Sequence, residues 1–232
     1  LAAGAQVLAY AVEQGHGGQI VYAAQASAAG ATDGRVRVEG RSQARGSGAG
    51  GLGGSIELLG SRNEFAPDAV LDRGIGGAAG MLVIGAQSIR IVAGAAGSSD
   101  CPLDCTLSVG TLQGLLAGGS LTLRASNALA TATIDIMEGV DVDLTAVLTG
   151  AHQVFRLQSE NITLRADALI RSGGGTVILS GLGSASALVG IDDPTGGVGR
   201  LFGIEPTDSR TEAQKPLSLL APGGSQGGRV TL

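Results

Sequence analysis

The chain has 232 residues, 44% of them hydrophobic, yet only 2% are aromatic, 41 are glycine and none is tryptophan. Charged residues make up 15%, with a formal net charge of −5, and no basic patch is interleaved with aromatics, so nucleic acid is excluded as an expected partner. A mean hydropathy of +0.30 argues against a disordered chain, and no stretch approaches the roughly 18 apolar residues of a membrane-spanning helix.

The apolar material is Val, Ile, Leu and Ala, which suits a thin core lined by aliphatic and β-branched side chains. The opening Leu1-Ala-Ala-Gly-Ala has neither a Met nor the basic start of a signal peptide, which predicts a piece of a longer chain. A short unit then recurs: one or two glycines, a small polar residue, and alternating apolar and polar positions. It reads GGQIVYA at 17–23, GRVRVEG at 34–40, GGSIELLG at 53–60 and GGSLTLRA at 118–125, and returns as GGGTVILSG at 173–181 and GGRVTL at 227–232. Strands without the glycine pair are predicted at 88–93, 132–138, 140–146 and 161–166.

Alternation over four to six residues is the signature of a half-buried strand. It turns Val36, Val38, Ile56, Leu58, Leu121, Leu123, Ile134, Ile136, Val140, Val142 and Leu144 inward. It turns Arg35, Arg37, Glu57, Thr122, Arg124, Asp135, Asp141 and Asp143 outward. A second unit stands before glycine-rich turns at AGAQVLA (3–9), APDAVLD (66–72) and ADALIR (166–171).

No run keeps the apolar spacing of a helix, so helices are expected to be scarce and a doubly wound α/β sheet is excluded. The hairpin dipeptide occurs once, at Asp33-Gly34, so an antiparallel meander is poorly supported. These features predict an all-β fold, a right-handed parallel β-helix (solenoid) in which glycine supplies the corner conformations. Taking Ile20, Val36, Ile56 and Leu82 as equivalent gives intervals of 16, 20 and 26 residues, and surface turns absorb such variation. Coils are expected over residues 1–189 with an excursion near 94–104. Residues 190–232 are expected to form an irregular flank that returns to a strand at Val230 and Leu232.

Few residues suggest chemistry. Cys101 and Cys105, in DCPLDC, are a candidate disulfide in an oxidising compartment, against free or differently paired thiols. Asp135, Glu138, Asp141 and Asp143 form the sharpest acidic cluster; such carboxylates serve polysaccharide-active enzymes as acid and base, or merely solvate an outer strand face, the reading preferred here. Arg35, Arg37, Arg90, Arg124 and Arg165 could bind acidic glycans or simply keep the outer faces charged. His16 and His152 lack partners at metal-ligand spacing, and Asn161-Ile-Thr fits a glycosylation acceptor by chance. No catalytic residue, cofactor site or metal site is expected.

GGSIELLG with APDAVLD, the run VGTLQGLLAGGSLTLRAS (109–126), and ADALIRSGGGTVILSG (166–181) resemble the filamentous haemagglutinin family, the long exoproteins exported by two-partner secretion. The resemblance covers residues 1–181 in texture. It implies a β-helical shaft at a Gram-negative cell surface, secreted through an outer-membrane transporter, with adhesive, aggregative or toxin-presenting roles; the sequence shows no catalytic constellation of a toxin tip, so no enzymatic role is expected. A surface glycan or protein receptor and self-association are the partners implied. The family's secretion domain carries Asn-Pro motifs and this chain has none, which places it in the shaft. The alternatives are a β-helical polysaccharide-active enzyme and a self-assembling fibre or sheath subunit.

Overall fold

The computed structural model describes residues 1–9, 11–24, 34–47, 51–60, 62–65, 70–73, 80–96, 100–101, 104–126, 132–149, 153–165, 167–181, 188–191, 200–203 and 230–231. Among these the protein is built mostly from parallel β-strands, with one helix. The first sheet element, β1 (Gln6–Leu8), pairs in parallel with β4 (Arg41–Gln43), and β4 with β7 (Val70–Asp72). The second sheet is the longest. It runs β2 (Gln19–Ala23), β5 (Ser55–Leu59), β8 (Met81–Ala86), β12 (Ser120–Ala125), β15 (Val154–Ser159), β18 (Thr176–Gly181) and β21 (Val230–Thr231), every neighbour parallel.

The third face starts with β3 (Arg35–Val38) beside β6 (Arg62–Phe65). It continues in a separate sheet through β9 (Ser88–Val92), β13 (Thr133–Ile136), β16 (Asn161–Leu164) and β19 (Leu188–Ile191). The first face resumes late as β14 (Asp141–Leu144), β17 (Leu169–Ser172) and β20 (Arg200–Gly203).

Alternation decides which side chains the sheets enclose. On the second sheet Ile20, Ile56, Leu82, Leu121, Phe155 and Val177 lie in register, and all are buried. Ile89, Ile134 and Ile162 do the same on the third face, as do Val142 and Ile170 on the first. Burying each such side chain contributes about 1.5–3 kcal/mol, and aliphatic rows need no large ring because each layer is only one strand spacing, about 4.8 Å, thick.

The register corrects the expected equivalences. Ile20 pairs with Ile56, 36 positions on, whereas Val36 lies on β3 in another sheet. Val36 therefore does not belong to the row that Ile20, Ile56 and Leu82 form. Thr122, expected on an exposed face, points outward but is buried at 3% exposure, its hydroxyl donating to the Met81 sulfur at 3.2 Å.

A second difference is the helix α1 (Val109–Ala117). It precedes β12 just as β7 precedes β8, so it stands where a first-face strand would otherwise stand. Ser108 caps it, its hydroxyl oxygen accepting from the Thr111 amide at 3.2 Å. Val109, Leu112 and Leu116 are buried, a spacing of three and four inside a run that also contains two glycines.

The excursion near 94–104 also carries strands. β10 (Asp100–Cys101) pairs antiparallel with β6, and β11 (Asp104–Ser108) pairs in parallel with β9. Most of 190–232 lies outside the described residues; the end of β19, β20 and β21 are the parts of it that are described.

Candidate functional site

The residues singled out for chemistry sit on outward strand faces, so the question is which of them share a face. Asp135 is on β13, in the third-face sheet, while Asp141 and Asp143 are on β14, in the first-face sheet. Glu138 is exposed in the turn between the two strands. The fold thus divides the acidic cluster between two sheets, with Asp141 and Asp143 two positions apart on β14.

Asp135, Asp141 and Asp143 each have a basic or hydroxyl neighbour. The Arg165 guanidinium donates to Asp135 at 2.8 Å, and Arg171 pairs with Asp141 at 2.7 Å. Asp143 accepts from both the amide and the hydroxyl of Thr145, at 3.0 and 2.6 Å. That hydroxyl bond, with the backbone bond and the Arg171 charge, holds the Asp143 carboxyl below its usual pKa against a smaller opposing effect of burial.

The outward arginines follow the same rule. Arg35 pairs with Glu64 on the next strand and Arg37 with Glu39. Arg124 donates to the Gln158 carbonyl oxygen at 3.1 Å, one strand along. Arg90 is exposed and stands in register with Asp135. Opposite charges on neighbouring strands, as at Arg35 and Glu64, are worth about 0.2–1 kcal/mol each.

His16 is exposed, and its Nδ1 accepts from the Leu52 amide at 3.1 Å, a contact between segments 36 residues apart. His152 lies outside the described residues. Cys105 is buried and disulfide-bonded; Cys101 is on β10, and its side chain lies outside the described set. Asn161 opens β16, half-buried, with its amide donating to the Ala132 carbonyl at 3.1 Å. Among the described residues no group of His, Cys, Asp and Glu could hold a metal ion, and no helix is long and apolar enough to cross a membrane.

Sequence reasoning missed Arg73. It is 2% exposed, directly after β7, and its guanidinium reaches the C-terminal end of α1. One nitrogen donates to the Ser120 carbonyl at 2.6 Å and another to the Leu115 carbonyl. Burial lowers its pKa to about 10, with Asp72 acting the other way, so it remains a cation at neutral pH. A cation against the last carbonyls of a helix satisfies acceptors that the helix itself cannot. Gln113 ties the other side of α1 to β14 through the Asp143 carbonyl at 2.7 Å. Only the apolar spacing at 109, 112 and 116 and the Ser108 cap could have signalled the helix; nothing local in the sequence marks Arg73.

The glycine pairs explain themselves in the corners before the second sheet. A β-carbon on Gly54 would lie 2.0 Å from the Gly18 carbonyl oxygen, and one on Gly80 would lie 2.3 Å from that of Gly54. Those same oxygens accept from Ser55 and Met81 at 3.1 and 3.0 Å, so the corners stack backbone on backbone. They line a shallow groove of about 490 Å³ with Gln19, Ser55 and Met81 on its margin.

No family model, curated protein or solved structure matches the chain.

Proposed function

We propose that the three strand sets wind as a right-handed parallel β-helix, and that the chain is a structural and adhesive shaft segment of a large secreted exoprotein at a bacterial cell surface. In this reading it resembles filamentous haemagglutinins, is exported with an outer-membrane transporter, meets a glycan or protein receptor on a host or neighbouring cell, and carries no catalytic role. One observation carries the reading: the second sheet adds its seven strands in chain order, each parallel to the last. Such a stack lengthens by about 4.8 Å per added strand, the geometry of a spacer that reaches as far as its coil number.

The paired outer charges support the same reading. Asp135 and Asp141 each pair with an arginine, Asp143 accepts from Thr145, and the three divide between two sheets. A polysaccharide-cleaving site asks for two carboxylates facing one another within about 10 Å across the scissile bond. Electron microscopy of the intact protein on its producing cells tests the proposal: thin fibres projecting from the surface are expected, and compact particles would overturn it.

A further inference from the structure

We propose that the Cys101–Cys105 disulfide is a clasp that closes a gap in the third face, so that this level of the stack is completed only where thiols are oxidised. This rests on the stacked-coil reading above. On the second sheet β5 and β8 are direct neighbours, with Ile56 paired to Leu82. The strands that follow them are not. β6 is flanked by β3 and β10, whereas β9 is flanked by β13 and β11. The third face is therefore wider than the second at this level, and two short strands of one segment fill the difference.

The corner beside the gap stays shut. Asn63 is buried, and its side-chain amide donates to the carbonyls of Gly60, at 3.0 Å, and of Gly85 on β8. Beyond that corner the insert stands between the two sheets. β10 runs against β6 and β11 runs with β9, so the chain reverses between them. Among the described residues no ladder joins β10 to β11.

The cysteines supply the link where the ladder is missing. The chain has two, Cys105 is disulfide-bonded and neither is free, so the partner is Cys101. Cys101 stands in register with Asn63, and Cys105 with Ile89. The bond thus runs from the strand held by β6 to the strand held by β9. It closes a loop of five residues, which constrains the unfolded chain less than a long loop would, so its effect is local. In forming it, the two thiols give up two protons and two electrons to the disulfide of an oxidant, which leaves as two thiols. Such oxidants act outside the reducing cytosol. Cys105 is fully buried, which shields the finished bond, so formation is the controlled step.

Hydrogen exchange of the full 232-residue chain tests the clasp, comparing the oxidised protein with Cys101→Ala, which leaves the buried Cys105 in place. Amides at 100–101 and 104–108 should exchange about tenfold faster or more in the variant, and equally so in the unaltered chain refolded with dithiothreitol. The Leu82 and Leu121 amides should keep their protection. Unchanged exchange at β10 and β11, an equal loss of protection in every sheet, or two titratable thiols in the protein folded with oxidised glutathione would each overturn the proposal. Nuclear Overhauser contacts between Ile56 and Leu82 in the oxidised sample separate the two readings. Their presence beside unchanged exchange removes the clasp alone, whereas their absence removes the stacked coil.

Discussion

Gly139 and Asp167 occupy equivalent turns, each shortly before one of the paired strands β14 and β17. They stand 28 residues apart, the same offset that pairs β13 with β16 and β14 with β17, and their φ angles are +65° and +56°. In each turn a backbone bond closes around them, Val140 donating to Met137 at 3.2 Å and Ala168 to Arg165 at 3.0 Å. Gly4, at φ +76°, sits in the same way before β1, with Ala5 donating to Ala2. A turn with positive φ at its third residue favours glycine, and Asp tolerates the position better than most residues do.

Asp167→Gly should therefore stabilise the protein by about 0.5–1 kcal/mol, because the β-carbon strain of a left-handed residue is removed. Asp167→Val should cost about 1–2 kcal/mol by the same argument. Chemical denaturation of the two variants checks the pair, and equal midpoints would contradict the turn assignment.

The glycine corners give a sharper test. Gly54→Ala places a methyl against the backbone oxygen of Gly18, which has no flexible side chain to move aside. The loss should be about 3 kcal/mol or more, whereas Gly114→Ala, where a β-carbon meets nothing within 4 Å, should gain about 1 kcal/mol from helix propensity. Thermal unfolding of both variants distinguishes a stacked corner from an ordinary loop.

These two predictions also show what could be read in advance. The glycine pairs and the period-two alternation announced parallel stacking at residues such as Ile56, Leu82 and Leu121, because both features answer to the local backbone. Which strands were equivalent was legible only in part: Ile56 and Leu82 do pair. Turn lengths between strands vary, so Val36 and Ile56 look alike in sequence while lying in different sheets. Arg73 was invisible for a related reason: its partners, Leu115 and Ser120, are 42 and 47 residues away.

Arg73 should be the most sensitive charged residue of the described set. Arg73→Met removes both donors, one to the Leu115 carbonyl in α1 and one to the Ser120 carbonyl at the start of β12, a loss of about 2–4 kcal/mol. Arg73→Lys should recover only part of it, since a single ammonium does not reproduce the planar fork. Hydrogen exchange of the α1 amides reports the effect locally: fast exchange across 109–117 in Arg73→Met is expected, and unchanged protection would contradict the role.

The Asp143–Thr145 contact sets a pH dependence. A carboxyl whose folded pKa is depressed contributes stability above its unfolded pKa, near 3.8, and loses it as pH falls through the lower folded value. Thr145→Val removes the hydroxyl bond, so the variant should be less stable by about 0.5–1 kcal/mol at neutral pH. The deficit should vanish below the folded pKa. Denaturation midpoints between neutral and strongly acid pH measure it, and a pH-independent difference would assign the loss to packing instead.

The central claim is the parallel register of the second sheet, and amide and side-chain Overhauser contacts in the isotope-labelled chain test it most directly. The account predicts that Leu121 contacts Leu82 on one side and Phe155 on the other, 39 and 34 residues away. Contacts confined to strands adjacent in sequence, in the antiparallel pattern of hairpins, would contradict it.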